Sequence, residues 1–193
     1  MLELSSRDFE VIDSLIQFGV FKDIEGYRLD RSKGIILVCC ADGDQFHDLY
    51  NHECRINLTQ RGDNPRIHPL SRNGGILAYQ KGNRINRYPD SYLEYMYEIG
   101  DSALMKEMPT IVIEGHGPCG AARLKNIILM AQLKTQMEMK AIIRERYSGT
   151  DVASHFHVDY KGRNGKDRKT YHFGSAGWAE WYRTQAPKFL AAA

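Results

Sequence analysis

Ile111-Val112-Ile113-Glu114-Gly115-His116-Gly117-Pro118-Cys119-Gly120-Ala121-Ala122 decides how this chain is read. A short apolar run leads into a histidine and a cysteine three residues apart, and a helical pattern opens directly behind them. That is a buried strand turning into a helix. A second apolar run, Gly34-Ile35-Ile36-Leu37-Val38-Cys39-Cys40, ends on cysteine and is followed by Ala41-Asp42. Runs that are apolar at every position suit central parallel strands covered on both faces. Parallel strands present their carboxyl ends on one rim, where open α/β sheets hold their ligands. The two runs therefore bring Cys40, His116 and Cys119 toward one place.

Working outward, Arg7 to Phe18 reads as a helix with Phe9, Ile12, Leu15 and Ile16 on one face. His47 to Arg55 is a polar, helical or irregular stretch, and Arg61-Gly62-Asp63-Asn64-Pro65 is a turn signal. Ile67 to Leu70 reads as a short strand before Ser71-Arg72-Asn73-Gly74-Gly75, whose glycines let backbone pass close to a neighbour. Pro89 to Met108 is helical in pattern, with a division expected at Gly100-Asp101-Ser102. A single long helix is expected from about Pro118 to Tyr147, carrying Leu124, Ile127, Ile128, Leu133, Met137 and Ile142 as its stripe. Phe156, Val158 and Tyr160 alternate with polar residues, Asn164-Gly165 marks a hairpin turn, and Tyr171 and Phe173 lie on the return strand. Trp178 to Leu190 reads as a terminal helix, with Trp178, Trp181 and Tyr182 anchoring it. The expectation is one α/β domain over residues 1–193: a mostly parallel central sheet flanked by helices, with a C-terminal β-hairpin at one edge.

Composition narrows the function. The 193 residues are 42% hydrophobic and 26% charged, enough for a real core. A formal net charge of +2 gives no reason to expect nucleic acid. No apolar run is long enough to span a bilayer, so no membrane partner is expected. Met1 to Asp8 shows no basic stretch followed by an apolar one, so a cytoplasmic setting is expected, with the four cysteines reduced. Metal binding or plain burial then explains them better than disulfides.

Zinc takes thiolate and imidazole ligands in a tetrahedron, and catalytic sites keep three protein ligands and leave the fourth place to water. Cys40, His116 and Cys119 make such a set. A histidine and cysteine three apart are a weak signal alone, and a second strand ending in Cys-x-Asp strengthens it. Cys119 in a first helical turn gains from the helix dipole, which favours the thiolate. Cys39 points to the opposite face of its strand and reads as core.

These residues resemble the β-class carbonic anhydrases. Cys40-Ala41-Asp42 is similar to the family's Cys-x-Asp-x-Arg, and His116-Gly117-Pro118-Cys119-Gly120-Ala121 to its Gly-His-x-x-Cys-Gly-Ala. Arg61-Gly62-Asp63 before Ser71-Arg72-Asn73-Gly74-Gly75 loosely resembles its Arg-Asn-Ala-Gly-Asn element. The resemblance spans about residues 34 to 125. It implies that Cys40, His116 and Cys119 bind Zn2+, and that a zinc-bound hydroxide attacks CO2 to give bicarbonate, reversibly. Asp42 would orient the nucleophile, and Arg72, Asn73, Gly74 and Gly75 would line or support the pocket. It also implies a homodimer or higher assembly, with the opening helix packed on a partner chain.

One departure matters. The family pairs its aspartate with an arginine two residues on, and Asp44 stands there instead. Without that partner, Asp42 is free to swing onto the metal and close the site, and the added negative charge would raise the pKa of bound water. Arg61, Arg66 and Arg72 are candidate stand-ins. Two further readings follow: hydrolysis of a related small linear molecule, carbonyl sulfide or carbon disulfide, or a catalytically weak or inactive zinc-binding relative with four protein ligands. Elsewhere, His47 and His52 are candidate proton shuttles, although solvent-facing polar residues are the plainer reading. His155, His157 and His172 make a rival metal site if Asn164-Gly165 is a two-residue turn that sets His157 opposite His172. Lys161, Arg163, Lys166, Arg168 and Lys169 make the hairpin tip basic, a solvated edge or a contact for nucleic acid or an acidic partner.

Overall fold

In a computed structural model, residues 2–24, 30–61, 65–163 and 167–190 are described, with side chains 58–61 left aside. The centre of the expected Arg61-Gly62-Asp63-Asn64-Pro65 turn, the side chain of Arg61 and the Asn164-Gly165 turn lie outside these residues. In chain order the elements are α1 (Ser6–Gln17), β1 (Phe21–Lys22), β2 (Ile35–Cys40), α2 (Phe46–Arg61), β3 (Ile67–Arg72), a 310 helix (Gly75–Tyr79), α3 (Ser91–Lys106) and β4 (Thr110–Gly117). They continue as α4 (Gly120–Leu124), α5 (Leu129–Arg146), β5 (Asp151–Asp159), β6 (Arg168–Phe173), α6 (Ser175–Thr184) and α7 (Ala186–Leu190).

The strands form one sheet of six in the order β1-β6-β5-β4-β2-β3. The β3, β2, β4 and β5 strands run parallel, β6 runs antiparallel to β5, and β1, antiparallel to β6, again runs with the parallel four. This is the α/β sheet with its hairpin toward one side, and the two-residue β1 lies outside the hairpin. All six residues of β2 are buried, as its unbroken apolar run requires. On one face Ile35, Leu37, Val112 and Ala153 pack under Phe46 and Tyr50 of α2. On the other, Ile36, Val38, Ile111 and Ile113 meet Met96 and Ile99 of α3 and Met139 and Ile143 of α5.

Several boundaries differ from expectation for physical reasons. Gly100 does not divide α3: a Cβ there would stand 2.6 Å from the Tyr147 ring, so the glycine serves close packing inside an unbroken helix. The expected helix from 118 to 147 is two helices, because Asn126 takes a left-handed backbone (φ 53°) and the Lys125, Asn126 and Ile127 amides fold back onto Ala122 and Arg123 carbonyls. The terminal helix likewise divides at Gln185. The polar stretch from 47 is a full helix that extends to Arg61.

The opening helix begins with a capping box, Ser5 and Asp8 bonding each other's backbone amides. The resemblance implies a partner chain for this helix, yet its Phe9, Val11, Ile12 and Leu15 are buried in this chain's own core, beside Phe21, Phe156 and Trp181. Trp181 is fully buried and donates its indole N–H to Ser14 Oγ at 2.9 Å, and Trp178 meets Phe173 edge-on at 5.1 Å. These aromatics bind α6 to the core, as their helical spacing suggests.

Candidate metal centre

Three elements deliver three candidate ligands. Cys40 is the last residue of β2, His116 lies near the end of β4, and Cys119 is the N-cap of α4. Their ligand atoms all lie within 4.8 Å of one another, and all three side chains are buried. The β2–β4 register holds the strands together up to Val38 and Ile113, which brings both strand ends to one rim. The Gly117-Pro118 peptide between His116 and Cys119 is cis.

The donor set fits a zinc ion. Both ring nitrogens of His116 are buried with no hydrogen-bond partner outside the cluster, where the Cys40 thiol interacts with the ring, a costly state for an imidazole unless something else accepts its lone pair. The Cys40 sulfur accepts the Gly74 backbone N–H at 3.2 Å. The two thiols share a proton unequally. A hydrogen bond from Cys40, aided by the Ala122 and Ala121 amides, lowers Cys119 to about 7 against the opposing effect of burial. The same bond, together with burial, pushes Cys40 up to about 12. Cys119 caps α4, and the Ala121 and Ala122 amides of that first turn favour its thiolate by direct hydrogen bonds. Among the described residues, no other group of three ligands converges.

The carboxylate of Asp42 stays outside this cluster. Its Oδ1 accepts the Asp44 amide at 3.1 Å, and its carbonyl accepts the Gln45 and Phe46 amides at the start of α2. Its Oδ2 lies 3.9 Å from where a Gly120 Cβ would stand, and its charge raises Cys119. Neither of the described candidate arginines reaches it. Arg72 pairs with Glu98 and lies 3.9 Å over the Tyr95 ring, and Arg66 donates to the Lys33 and Lys106 carbonyls. Asn73 is exposed, whereas Gly74 and Gly75 are buried against the end of β2. Gly75 has φ +52°, and a Cβ on it would meet the Cys40 backbone nitrogen at 2.8 Å. Gly75→Ala is therefore expected to cost at least about 1–2 kcal/mol from the left-handed backbone alone. It should also displace Cys40, so a lower urea midpoint with reduced metal retention is the expected measurement, and an unchanged midpoint would contradict it.

Below the ligands sits a niche of about 10 Å³, near the room one water needs, walled by Leu77, Gln136 and Phe156 among others. Beside it a cavity of about 480 Å³ opens between Leu4, Arg7, Pro118 and Arg123. Cys119 and Gln132 line both, so the larger space borders the cluster at Cys119.

Other candidates fall out differently. The register sets His155 opposite His172 and His157 opposite Thr170, two residues away from the pairing a two-residue turn would give. His155 bonds Glu53 at 2.7 Å and His157 bonds Thr170 Oγ1 at 2.8 Å, so the rival histidine set does not converge on one point. His52 is not solvent-facing, and burial lowers it to about 4, which leaves it neutral and unsuited to carrying protons near pH 7. His47 is exposed and bonds Asn51. The described hairpin cations are engaged inside the chain, Lys161 on Asp159, Arg168 on Asp48 and Asp159, Lys169 on Asp23, and Arg163 over the Phe9 ring, and Lys166 lies outside the described residues.

Sequence reasoning missed a buried polar group beneath α2. Arg31, Glu53, Glu114 and His155 have no exposed surface. Glu53 holds both Arg31 and His155, and those contacts pull its carboxyl down to about 2 despite burial. Burial and the Glu53 charge push the Glu114 carboxyl well above its usual range, so it stays protonated. A glutamate in the apolar run 111–115 was the available signal.

A scan against protein-family models finds no match, and a search of curated proteins finds none. Among solved structures, the chain is similar to a carbonic anhydrase from Streptococcus mutans, with 10% identity and a TM-score of 0.46 over 89% of this chain and 99% of that one. It is also similar to the β-carbonic anhydrase CcaA, with 14% identity and a TM-score of 0.36 over 80% of this chain and 84% of that one.

Proposed function

We propose that this chain is a zinc lyase resembling the β-carbonic anhydrases, which interconverts CO2 and bicarbonate, with residues 1–193 serving as one domain. The observation that carries the reading is the buried convergence of Cys40, His116 and Cys119 on one point, with the His116 nitrogens unpartnered outside that cluster. In this reading those three residues hold Zn2+, and bound zinc supplies a Lewis acid that brings the pKa of water down to about 7. The Gly74 amide supports the Cys40 sulfur, and the Ala121 and Ala122 amides support that of Cys119. Such supporting bonds orient ligands and tune the metal.

Asp42, tethered to the Asp44 amide, stays at the rim as a hydrogen-bond acceptor rather than a fourth ligand. That tether favours an open site over the closed four-ligand alternative. Arg72, bound to Glu98 and Tyr95, anchors the loop that carries Asn73, Gly74 and Gly75. The larger cavity beside Cys119, with Leu4, Val11, Pro118 and Ile127 among its walls, gives apolar room for a small uncharged substrate. Self-association as a homodimer or higher belongs to the same reading, and the exposed Leu104 and Met105 offer apolar surface for it. A cytoplasmic setting would keep the thiols reduced. No helix among the described residues is long and apolar enough to cross a membrane.

The test is stopped-flow CO2 hydration by protein carrying one equivalent of zinc, run beside sulfide release from carbonyl sulfide. Hydration above buffer that is lost on chelation and restored by zinc is expected. Zinc-loaded protein that hydrates nothing would overturn the activity, and sulfide release alone would move it to the carbonyl sulfide alternative.

A further inference from the structure

Lys140 is a buried base that the metal centre does not use. It lies on α5 one turn beyond Gln136, whose amide reaches Ser154 Oγ at 2.8 Å and the His155 carbonyl at 2.7 Å, so this face of the helix meets the sheet. Only 6% of the Lys140 surface is exposed. Among the described residues it has no hydrogen bond or ion pair. The nearby carboxylate of Glu138 is engaged by Lys134 and Gln80. Among the described residues, the charged or titratable groups in electrostatic reach are Arg144 on α5 and His172 on β6, with Lys22 of β1 acting on the same histidine. None of them is a carboxylate. An ammonium here is both desolvated and beside like charge.

We propose that Lys140 is a CO2-modification site, its Nζ forming a carbamate that sits as an anion one helical turn before Arg144. The neutral amine's lone pair attacks the CO2 carbon, and a nitrogen–carbon bond forms. One carbon–oxygen π bond opens to a carboxylate, the displaced N–H proton goes to water, and no oxidant or reductant is needed. The change of sign is what the surroundings favour. Lys140 and Arg144 as two cations four residues apart repel, whereas an anion N-terminal to a cation at that spacing is the stabilising arrangement. Burial first, then Arg144, lowers the Lys140 amine to about 8. At pH 7.5 roughly a quarter of it is then neutral, against about one in a thousand for an exposed lysine.

Dissolved CO2 suffices for this reaction, so it stands apart from the Cys40, His116 and Cys119 reading. The full chain is equilibrated with 13C-bicarbonate at pH 7.5 and 8.5, trapped with a trialkyloxonium salt, digested and examined by mass spectrometry. The alkyl carbamate is expected on Lys140, rising with pH and at least tenfold above that on exposed Lys81 and Lys125. No adduct at Lys140, or equal adducts at all three lysines, would overturn the proposal. Lys140→Arg should lose the adduct together with any CO2-dependent rise in Tm, and the trapping on unmodified protein decides the matter if that variant does not fold. Cys119→Ser should keep the adduct, which separates this site from the metal centre.

Discussion

Cys119→Ser is expected to strip the protein of stoichiometric zinc and bring CO2 hydration down to buffer background. Cys119 is the ligand most ready to be a thiolate, at about 7, because Cys40 and two backbone amides direct hydrogen bonds at its sulfur. A serine hydroxyl in the same place does not ionise near neutral pH and is a poor zinc ligand. Loss of a bond that merely supports a ligand costs roughly 10–100-fold in metal affinity, and loss of the ligand itself should exceed that. Because metal binds the folded state, the zinc-dependent rise in Tm should vanish as well, a contribution of about 4 kcal/mol at a thousand times Kd. Metal analysis after dialysis and differential scanning calorimetry with and without zinc check both. A Cys119→Ser protein that keeps one tightly held zinc would remove Cys119 from the ligand set. His116→Ala should behave alike, and Cys39→Ser should not alter zinc content, since Cys39 is buried on the other face with Ile35 and Leu37.

Glu53→Ala is expected to be the most damaging change far from the metal. Glu53 is the carboxylate shared by Arg31 and His155 in a region with no exposed surface. Removing one member of a buried ion pair costs about 3–5 kcal/mol, because the remaining charge loses its compensation where water does not reach. For a chain of this size that is a fall of roughly 6–20 °C in Tm. The pH dependence has a definite sign. The folded carboxyl titrates near 2, below its unfolded value of about 4.3. Its contribution is therefore complete above about pH 5 and is lost as pH falls toward 2. Urea unfolding between pH 7 and pH 3 should show a shallower acid loss in Glu53→Gln than in the unmodified protein. Equal slopes would mean that Glu53 is not ionised in the folded state.

The legible parts of the molecule share one property: their information lies within a single element or at its end. The apolar runs 35–40 and 111–113 gave two buried strands because no polar face interrupts them. Parallel strands share a rim, so the positions of Cys40, His116 and Cys119 followed from topology. The less legible parts depend on partners distant in sequence. Gly100 looks like a helix breaker until Tyr147 is seen against it. The same holds for His155, an ordinary strand histidine in sequence whose partner Glu53 is 102 residues away. The hairpin register is set by the pairing of β5 with β6 along their length, and a two-residue shift from the expected pairing changed which histidines face each other.

Local chemistry alone thus determined the α/β class, the two central strands and the three metal-ligand candidates, because hydrophobic period and strand-end position are properties of short segments. Tertiary structure decided what surrounds them. It tied Asp42 to its own loop, spent Arg72 on Glu98 and the described basic hairpin residues on nearby acids, and buried Lys140 with Arg144 as its charged neighbour. Which charge meets which in space is set by the packing of whole layers. Long side chains can reach several partners of similar energy, so only the assembled fold selects among them.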